Sequence, residues 1–476
     1  MKNEADSGAR MKERLPSAVH ALWGFFAAAG IPAWIVGGCV RDLLLGRSFA
    51  DVDFVADAPA EAILALVEHW GKNRFGRFEG TLVGKPPAAT VLLAVEGTGV
   101  EIAPLVGGSL EADLGRRDFT VNAMALDLKG ALWDPFGGRR DLEEKRLRFT
   151  GSAADRLAED PIRALRLCRF AAELAFHPDS PGQEAVRALA PLARGRENFF
   201  VASERVGREV LKALSGLSVF LELADALGVL PFFLPFLERL KGVEQSPDYH
   251  PEGDVFVHTL RTVRAAEEYG VSSVTAAALL HDLGKPETFF RDGSGRIRFF
   301  RHEERSAEQA RRILTAWAWP GVLAEETVFL VARHDILRHP LSLRGAVRLL
   351  RELETVPRLS AAECSGRAAW QMPLEHLVAL TRADIAGGNG NDAVLKENLR
   401  LLDEAAIRLE TVVSPGKRRL LSGHDVMKVL CLPPGPKIGE LLEELDLGVA
   451  KGRVRTREDA LAWLDSLKQE STSTPS

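Results

Sequence analysis

Between Trp34 and Val55 the chain runs from an apolar strand (Trp34-Ile35-Val36) through a Gly37-Gly38 turn and a short helical stretch to a second strand that opens on Asp51-Val52-Asp53. Strand, glycine turn, helix and strand packed this closely commit the segment to a sheet covered by helices. The same residues constrain chemistry. Glycines let backbone N–H groups approach an anion closely. Residues two apart on a strand face the same side, so Asp51 and Asp53 project together. Two carboxylates held side by side repel unless a cation lies between them, and hard Mg²⁺ prefers such oxygen ligands. The bland alternative, a solvated Asp pair after a turn, loses weight as further motifs join this one.

Short strands are predicted at Trp34–Val36, Asp51–Val55, Thr90–Val95, Val100–Ala103 and Ala123–Asp127, with a helix over Glu61–Trp70. From Asp155 onward apolar residues recur at helical spacing, broken near Pro178–Gly182, Pro231–Pro235, Ser246–Pro251, Asp292–Gly295 and Gly387–Asn391. With 476 residues the chain is too long for one ordinary core. The expected order is an N-terminal extension and first helix (1–30), an α/β head (31–148), a helical neck (149–220), a helical body (221–390) and a helical tail (391–476) whose last residues, Ser471–Ser476, are expected to be disordered. No apolar run approaches the roughly 20 residues that cross a bilayer. The first residues lack the apolar core of a signal peptide. Cys39, Cys168, Cys364 and Cys431 are scattered without metal-ligand spacing, as expected of a reduced cytoplasmic protein with no membrane partner. A net charge of −5 argues against a surface basic throughout, so any nucleic-acid contact must come from a local basic stripe.

Three further segments extend the first motif. Arg116-Arg117-Asp118-Phe119-Thr120-Val121-Asn122-Ala123 precedes a strand, Asp134–Asp141 forms a turn, and Glu159-Asp160-Pro161-Ile162-Arg163 opens a helix that continues with Arg166 and Arg169. By local rules Asp160 is a natural helix N-cap and Pro161 suits the first helical position. Together with Gly37–Asp53 these segments resemble the nucleotidyltransferase signature of the DNA polymerase β superfamily. Their form is similar to bacterial-type (class II) tRNA nucleotidyltransferases and the related poly(A) polymerases. The resemblance implies a polymerase-β-like head of mixed sheet and helices followed by helical domains. Gly38, Arg41 and Arg117 would hold the triphosphate, and Asp51, Asp53 and Glu101 would be the catalytic carboxylates that hold Mg²⁺. Asp118 and Asn122 would contact the sugar or order the loop. Glu159, Asp160 and Arg163 would pair with the incoming base, and Arg166 and Arg169 would rim the site. An arginine donor and a carboxylate acceptor suit C and A, while G and U present the reverse order. Ser203–Glu209 resembles a motif that braces the neck.

The implied reaction transfers CMP, and in full CCA-adding relatives also AMP, from CTP and ATP to the 3′ end of tRNA. One departure bears on specificity. Only Pro104–Leu110 joins the Glu101 strand to the next motif, where full CCA-adding relatives carry a longer flexible loop. In this family its loss accompanies addition of the two cytidines alone. A poly(A) polymerase is the nearest alternative, although those relatives often end in a strongly basic extension that this sequence lacks.

A second set of motifs lies in the body: His250-Pro251-Glu252, His258, His281-Asp282-Leu283-Gly284-Lys285, His302, His334-Asp335 and Asp384. Imidazoles and carboxylates from separate helices can share divalent metal and activate water. The set resembles an HD-type phosphohydrolase, which implies His258, His281, Asp282 and Asp384 as ligands of a divalent transition metal, with His302 and His334 at a second metal or a phosphate. Relatives with both halves also hydrolyse 2′,3′-cyclic phosphates or 2′-nucleotides. The rivals are a decayed HD fold kept as an RNA-binding body, and an HD hydrolase whose head only binds.

Overall fold

The computed structural model describes residues 11, 13–49, 51–76, 80–84, 89–193, 201–247, 250–357, 368–388, 390–412 and 419–472. Two compact units emerge: Met1–Ala202 with Val219–Phe233, and Ser203–Ser218 with Leu234–Ser476. Cys364 lies outside the described residues.

The first unit is built on a mixed seven-stranded sheet. Its strands are β1 (Ala33–Val36), β2 (Asp51–Ala56), β3 (Thr81–Val83), β4 (Thr90–Val95), β5 (Thr98–Pro104), β6 (Ala125–Leu126) and β7 (Leu132–Trp133), in the order β3-β4-β5-β2-β1-β6-β7. β2 and β5 run parallel and the other pairs antiparallel. Apolar side chains at alternate positions reach the core: Val91, Leu93 and Val95 of β4 are buried while Leu92 and Ala94 face out, the period-two pattern of a half-covered strand. Val36, Val55, Ala123 and Ala125 pack against Leu110 and Leu114 of the helix Leu110–Gly115. Elsewhere Trp23 packs edge-on to Phe54 at 5.7 Å, and its indole N–H donates to Ala33 O at 2.8 Å.

Two strand expectations change. Ala123–Asp127 contracts to β6, because Thr120–Asn122 tightens into a 3₁₀ turn that Asp118 and Arg148 hold from either side. β3 and β7 carry too few residues for a periodic signal and are recruited by pairing with their neighbours. After the sheet, β8 (Arg146–Leu147) and β9 (His177–Pro178) form a short parallel pair. Phe119 packs at a tilt against Phe149 at 4.9 Å and edge-on to Phe170 at 5.6 Å, and burying each such ring contributes about 2 kcal/mol.

The second unit is helical. Residues 273–280 of the helix Ser272–Leu280 are all buried, as a run of Ala, Val, Thr and Leu without a polar face requires. The helices Val255–Glu267 and Gln371–Gly387 approach closely at Gly387, where a Cβ would stand 2.5 Å from Thr262 Oγ1 and 3.3 Å from His258 Cε1. The expected break at Asp292–Gly295 is the turn of a hairpin formed by β10 (Phe289–Arg291) and β11 (Ile297–Phe299). Aromatic and β-branched residues flanking an Asp-Gly turn favour strands over the helical pattern around them. The final helix, Arg457–Thr472, continues two residues into the stretch expected to be disordered. Residues 473–476 lie outside the described residues.

Candidate functional sites

In the first unit, the parallel register sets Asp53 beside Glu101 and Asp51 beside Gly99. A side chain at Gly99 would put its Cβ 2.1 Å from Asp51 Oδ1, so the neighbouring strand must be bare there. On the other side of β2, Asp53 pairs with Val36, which leads into Gly37. Gly37 has φ +75°, and a Cβ there would meet Arg117 Nη1 at 2.8 Å and Asp53 Oδ2 at 3.3 Å. Backbone, guanidinium and carboxylates therefore meet at one sheet end. Partial burial and the charges of Asp53 and Asp51 push the Glu101 carboxyl up, with Arg117 opposing. Repulsion of this kind is relieved by a divalent cation, and an all-oxygen donor set suits a hard one.

Arg117 is held from behind by Asp113, a buried carboxylate that contacts Arg116 at 3.0 Å and Arg117 at 3.4 Å. Sequence reading did not single out Asp113, although its spacing of three and four residues from the two arginines is the signal on a helix. Gly38 opens the helix Gly38–Leu44. Arg41 is buried, with Nη1 donating to Asn122 Oδ1 and Nε to Asp42 Oδ1, both at 2.9 Å. Its charge braces the motif, and a phosphate contact would require those bonds to open.

Asp118 is buried too. Its Oδ1 accepts from Phe119 N–H at 2.8 Å and Asn122 Nδ2 at 3.1 Å, while Oδ2 accepts from Arg166 Nε at 2.8 Å. Burial alone would raise this carboxyl, but the charge and hydrogen bond of Arg166, with the donors Asn122 and Phe119 N–H, outweigh it and hold the group below its ordinary value. These bonds tie Asp118 to Phe119, Asn122 and Arg166. Arg169 lies 3.9 Å from the Phe170 ring centre and pairs with Glu173 at 2.5 Å.

Glu159 ends the helix Ala153–Glu159 and Arg163 starts the helix Arg163–Leu174. Glu159 contacts Arg156 at 2.6 Å and Arg163 at 2.8 Å, and Arg163 Nη2 donates to Arg116 O at 3.0 Å. The pair is pre-oriented beside the Arg116-Arg117 backbone. Asp160 has an extended backbone and its carbonyl accepts from Arg163 N–H at 3.1 Å. Pro161-Ile162 turn tightly after it, so the helix begins later than predicted and Ile162, not Asp160, occupies the cap position.

The second unit brings His258, His281, Asp282 and Asp384 together. His258 Nε2 lies 2.9 Å from Asp384 Oδ1 and 3.8 Å from Asp282 Oδ2, and His281 Nε2 lies 3.1 Å from Asp282 Oδ2. His302 and His334 gather about the other oxygen of Asp282, at 3.5 and 3.9 Å. Nδ1 of His281, His302 and His334 each faces a backbone carbonyl, of Ala278, Phe299 and Val331, at 2.8 to 3.0 Å. A carbonyl only accepts, so each Nδ1 carries a proton and each Nε2 is the nitrogen turned inward; burial lowers His302 and His334, which leaves a lone pair on those two Nε2 atoms.

His302 and His334 Nε2 are 3.2 Å apart, two lone pairs face to face. Nitrogens about 2.1 Å from a shared ion stand roughly 3.0–3.4 Å apart at ordinary ligand angles. His281 Nε2 and both Asp282 oxygens are buried without a hydrogen bond; Lys285 Nζ approaches Oδ2 at 2.7 Å outside hydrogen-bonding direction. The nitrogen–oxygen set fits one or two divalent transition ions. Burial and the neighbouring His334 bring His302 down to about 4, keeping that ring neutral at pH 7. Burial would likewise lower His258, but Asp384 and Glu252 reverse the shift.

Two groups were not assigned from sequence. Glu252, just upstream of the helix that carries His258, accepts from His258 Nδ1 at 2.7 Å and His250 Nδ1 at 2.9 Å. Arg338 donates to Asp384 Oδ2 at 2.7 Å. The cluster opens on a cavity of about 440 Å³ whose lining includes Asp282, Lys285, Phe299, His302, Arg338 and Asp384.

Comparison with known proteins agrees with this division. Residues 33–148 match the poly A polymerase head domain and residues 255–370 the HD domain. An A-adding tRNA nucleotidyltransferase of Deinococcus radiodurans is 34% identical over 92% of this chain and 96% of its own. A multifunctional CCA protein of Aromatoleum aromaticum is 33% identical over 79% of this chain and 97% of its own. The fold is shared with the Bacillus stearothermophilus CCA-adding enzyme solved with CTP, at a TM-score of 0.63 and 24% identity over 96% of this chain and 98% of that one.

Proposed function

Because this chain belongs to the tRNA nucleotidyltransferase family and is a nucleotidyltransferase, we propose that its head adds CMP to the 3′-hydroxyl of tRNA and releases pyrophosphate. The observation that carries the reading is the meeting of Asp51, Asp53 and Glu101 with Arg117 above the Gly37 turn. The three carboxylates would hold Mg²⁺, which would supply stabilisation of charge on the attacking 3′-oxygen and the leaving pyrophosphate. Arg117 donates to the triphosphate, in the fork geometry that suits phosphate. Arg163 and the carboxylates of Glu159 and Asp160 pair with the base, and Asp118 and Arg166 keep the loop between these groups in place.

The connection from β5 to the next helix supports addition of two cytidines. It is short, Leu105 N–H donates to Ala56 O at 2.8 Å, and Gly107 and Gly108 turn it back at φ +80° and +75°. A connection pinned in this way has no slack to rearrange the base pocket for ATP. Addition of AMP is the second reading, favoured by the A-adding relative.

Primer extension separates the two. With transcripts ending at the discriminator base, after one cytidine and after two, the expected product is two cytidines and a stop. Adenosine added only to the transcript ending in two cytidines would establish the second reading. Asp51→Ala with Asp53→Ala should abolish incorporation; persistence would refute the carboxylate assignment.

The second unit is proposed to be a metal-dependent phosphohydrolase. Its support is the inward Nε2 atoms of His281, His302 and His334 and the two buried Asp282 oxygens that lack a hydrogen bond. His281, Asp282, His302 and His334 would hold a divalent transition ion, which would supply an activated water there. Lys285 and Arg338 offer positive charge to a phosphate, and Glu252 and Asp384 orient His258. Release of p-nitrophenol from bis-(p-nitrophenyl) phosphate with added Mn²⁺ or Ni²⁺, lost in Asp282→Ala, tests it. A tRNA-processing role is proposed to place both activities in the cytoplasm.

A further inference from the structure

The hairpin Phe289–Phe299 stands at the mouth of the histidine cavity, and Ile297, Arg298 and Phe299 form part of the cavity wall. Directly opposed residues on a hairpin share a face. Phe289, Phe299, Arg291 and Ile297 therefore lie on one face, and Phe290 and Arg298 on the other. On the first face Phe299 is anchored, lying beneath Lys285 Nζ at 5.3 Å and edge-on to Phe289 at 5.9 Å, while Phe289 is 41% exposed. The second face is the more exposed of the two. Phe290 is 51% and Phe300 65% exposed, with ring centres 6.2 Å apart.

Neighbouring exposed rings, unlike scattered ones, make a contiguous apolar patch of the kind that marks an interaction site. The surroundings limit what that is. Segment 289–301 carries Arg291, Arg296, Arg298 and Arg301 against the single acid Asp292, in a chain whose net charge is −5. Of these, Arg298 is only weakly tied to Asp292, at 3.4 Å, and Arg291 and Arg301 pair with Glu244 and Glu304 on the outside. Aromatic rings interleaved with arginines form the standard surface for stacked bases threaded on a phosphate backbone.

We propose that the face bearing Phe290, Phe300 and Arg298 is a stacking platform for the bases of a single-stranded RNA whose terminal phosphate enters the histidine–aspartate cavity. The proposal rests on the phosphohydrolase reading of that cavity and names its substrate class, an RNA end in preference to a free mononucleotide. Arg298, on the platform face and in the cavity wall, links base stacking to the phosphate. Each stacked base is worth about tenfold or more in affinity.

The test compares the intact chain with Phe290→Ala/Phe300→Ala. Both rings are exposed, so the melting temperature should hold. One substrate is a hexaribonucleotide ending in a 2′,3′-cyclic phosphate, and the other is bis-(p-nitrophenyl) phosphate, too small to reach the rings. The expected result is a KM about tenfold or more higher for the hexamer at a kcat within twofold, with the small substrate unaffected. An unchanged hexamer KM would overturn the platform. If that came with sedimentation of the parent chain as a dimer and of the variant as a monomer, the rings would belong to a contact between copies of the chain. Failure of the parent protein to hydrolyse either substrate would overturn the phosphohydrolase reading instead. The platform is then read from cross-linking of a 5-iodouridine hexamer, where adducts at Phe290 or Phe300 support it and adducts confined to other segments refute it.

Discussion

Gly99→Ala isolates the geometry of the carboxylate site from the stability of the fold. The added methyl carbon would stand 2.1 Å from Asp51 Oδ1, where ordinary contact begins at 3.4 Å, so the oxygen must retreat by about 1.3 Å. The obstructing atom is the tip of an exposed side chain, and Asp51 can rotate away at little cost to folding. The reaction has no such freedom. A displacement near 1 Å in a reacting constellation costs about 10²-fold, equivalent to about 2.7 kcal/mol of transition-state stabilisation. The expected outcome is a kcat for CMP incorporation lowered about 100-fold, a melting temperature within about 2 °C of the parent, and a raised Mg²⁺ requirement. Gly24→Ala, where nothing lies within 4 Å, serves as the neutral control. A Gly99→Ala kcat within twofold of the parent would refute the reasoning, because it would mean that the position of Asp51 does not matter to the chemistry.

Other perturbations address separate links. Arg163→Ala should bring incorporation of GMP and UMP up towards that of CMP in single-nucleotide assays, and unaltered selection would exclude Arg163 as the base reader. Asp118→Asn removes a carboxylate held below its ordinary value by Arg166 and neighbouring donors and should cost about 1–3 kcal/mol at neutral pH. Such a group stabilises the fold above its unfolded value of about 4, and the benefit is lost as pH falls through the lower folded value. The melting-temperature gap between parent and variant should therefore close below pH 4, and a gap independent of pH would refute the ion-pair account. Glu252→Gln keeps shape but weakens acceptance from two imidazoles. It should lower affinity for added Mn²⁺ or Ni²⁺ by about 10- to 100-fold in calorimetric titration, and unchanged affinity would separate Glu252 from the metal site. Gly207→Ala would place a Cβ 2.3 Å from Trp317 Cβ. With no flexible tip to move, it should cost about 1–3 kcal/mol, and an unshifted melting temperature would show that the helix can slide.

The juxtaposition of residues close together in the chain was legible in the sequence. Asp51 and Asp53 share a face because strands have a period of two, and Glu159 and Arg163 meet because they bracket one turn between helices. The histidines and aspartates of the second unit could be listed for their types and motifs, but not arranged. Which ring nitrogens turn inward depends on carbonyls offered by Ala278, Phe299 and Val331, and no spacing rule reports a carbonyl's direction. Tertiary structure alone decided that Arg41 is enclosed by Asn122 and Asp42, that Glu252 serves two histidines, and that Asp113 holds Arg117. It also turned an apparent loop at Asp292–Gly295 into a hairpin beside the cavity. The physical reason is common to all of these. Periodicity reports which side of an element is apolar, whereas the partners of a buried charge are fixed by which elements come to lie against it.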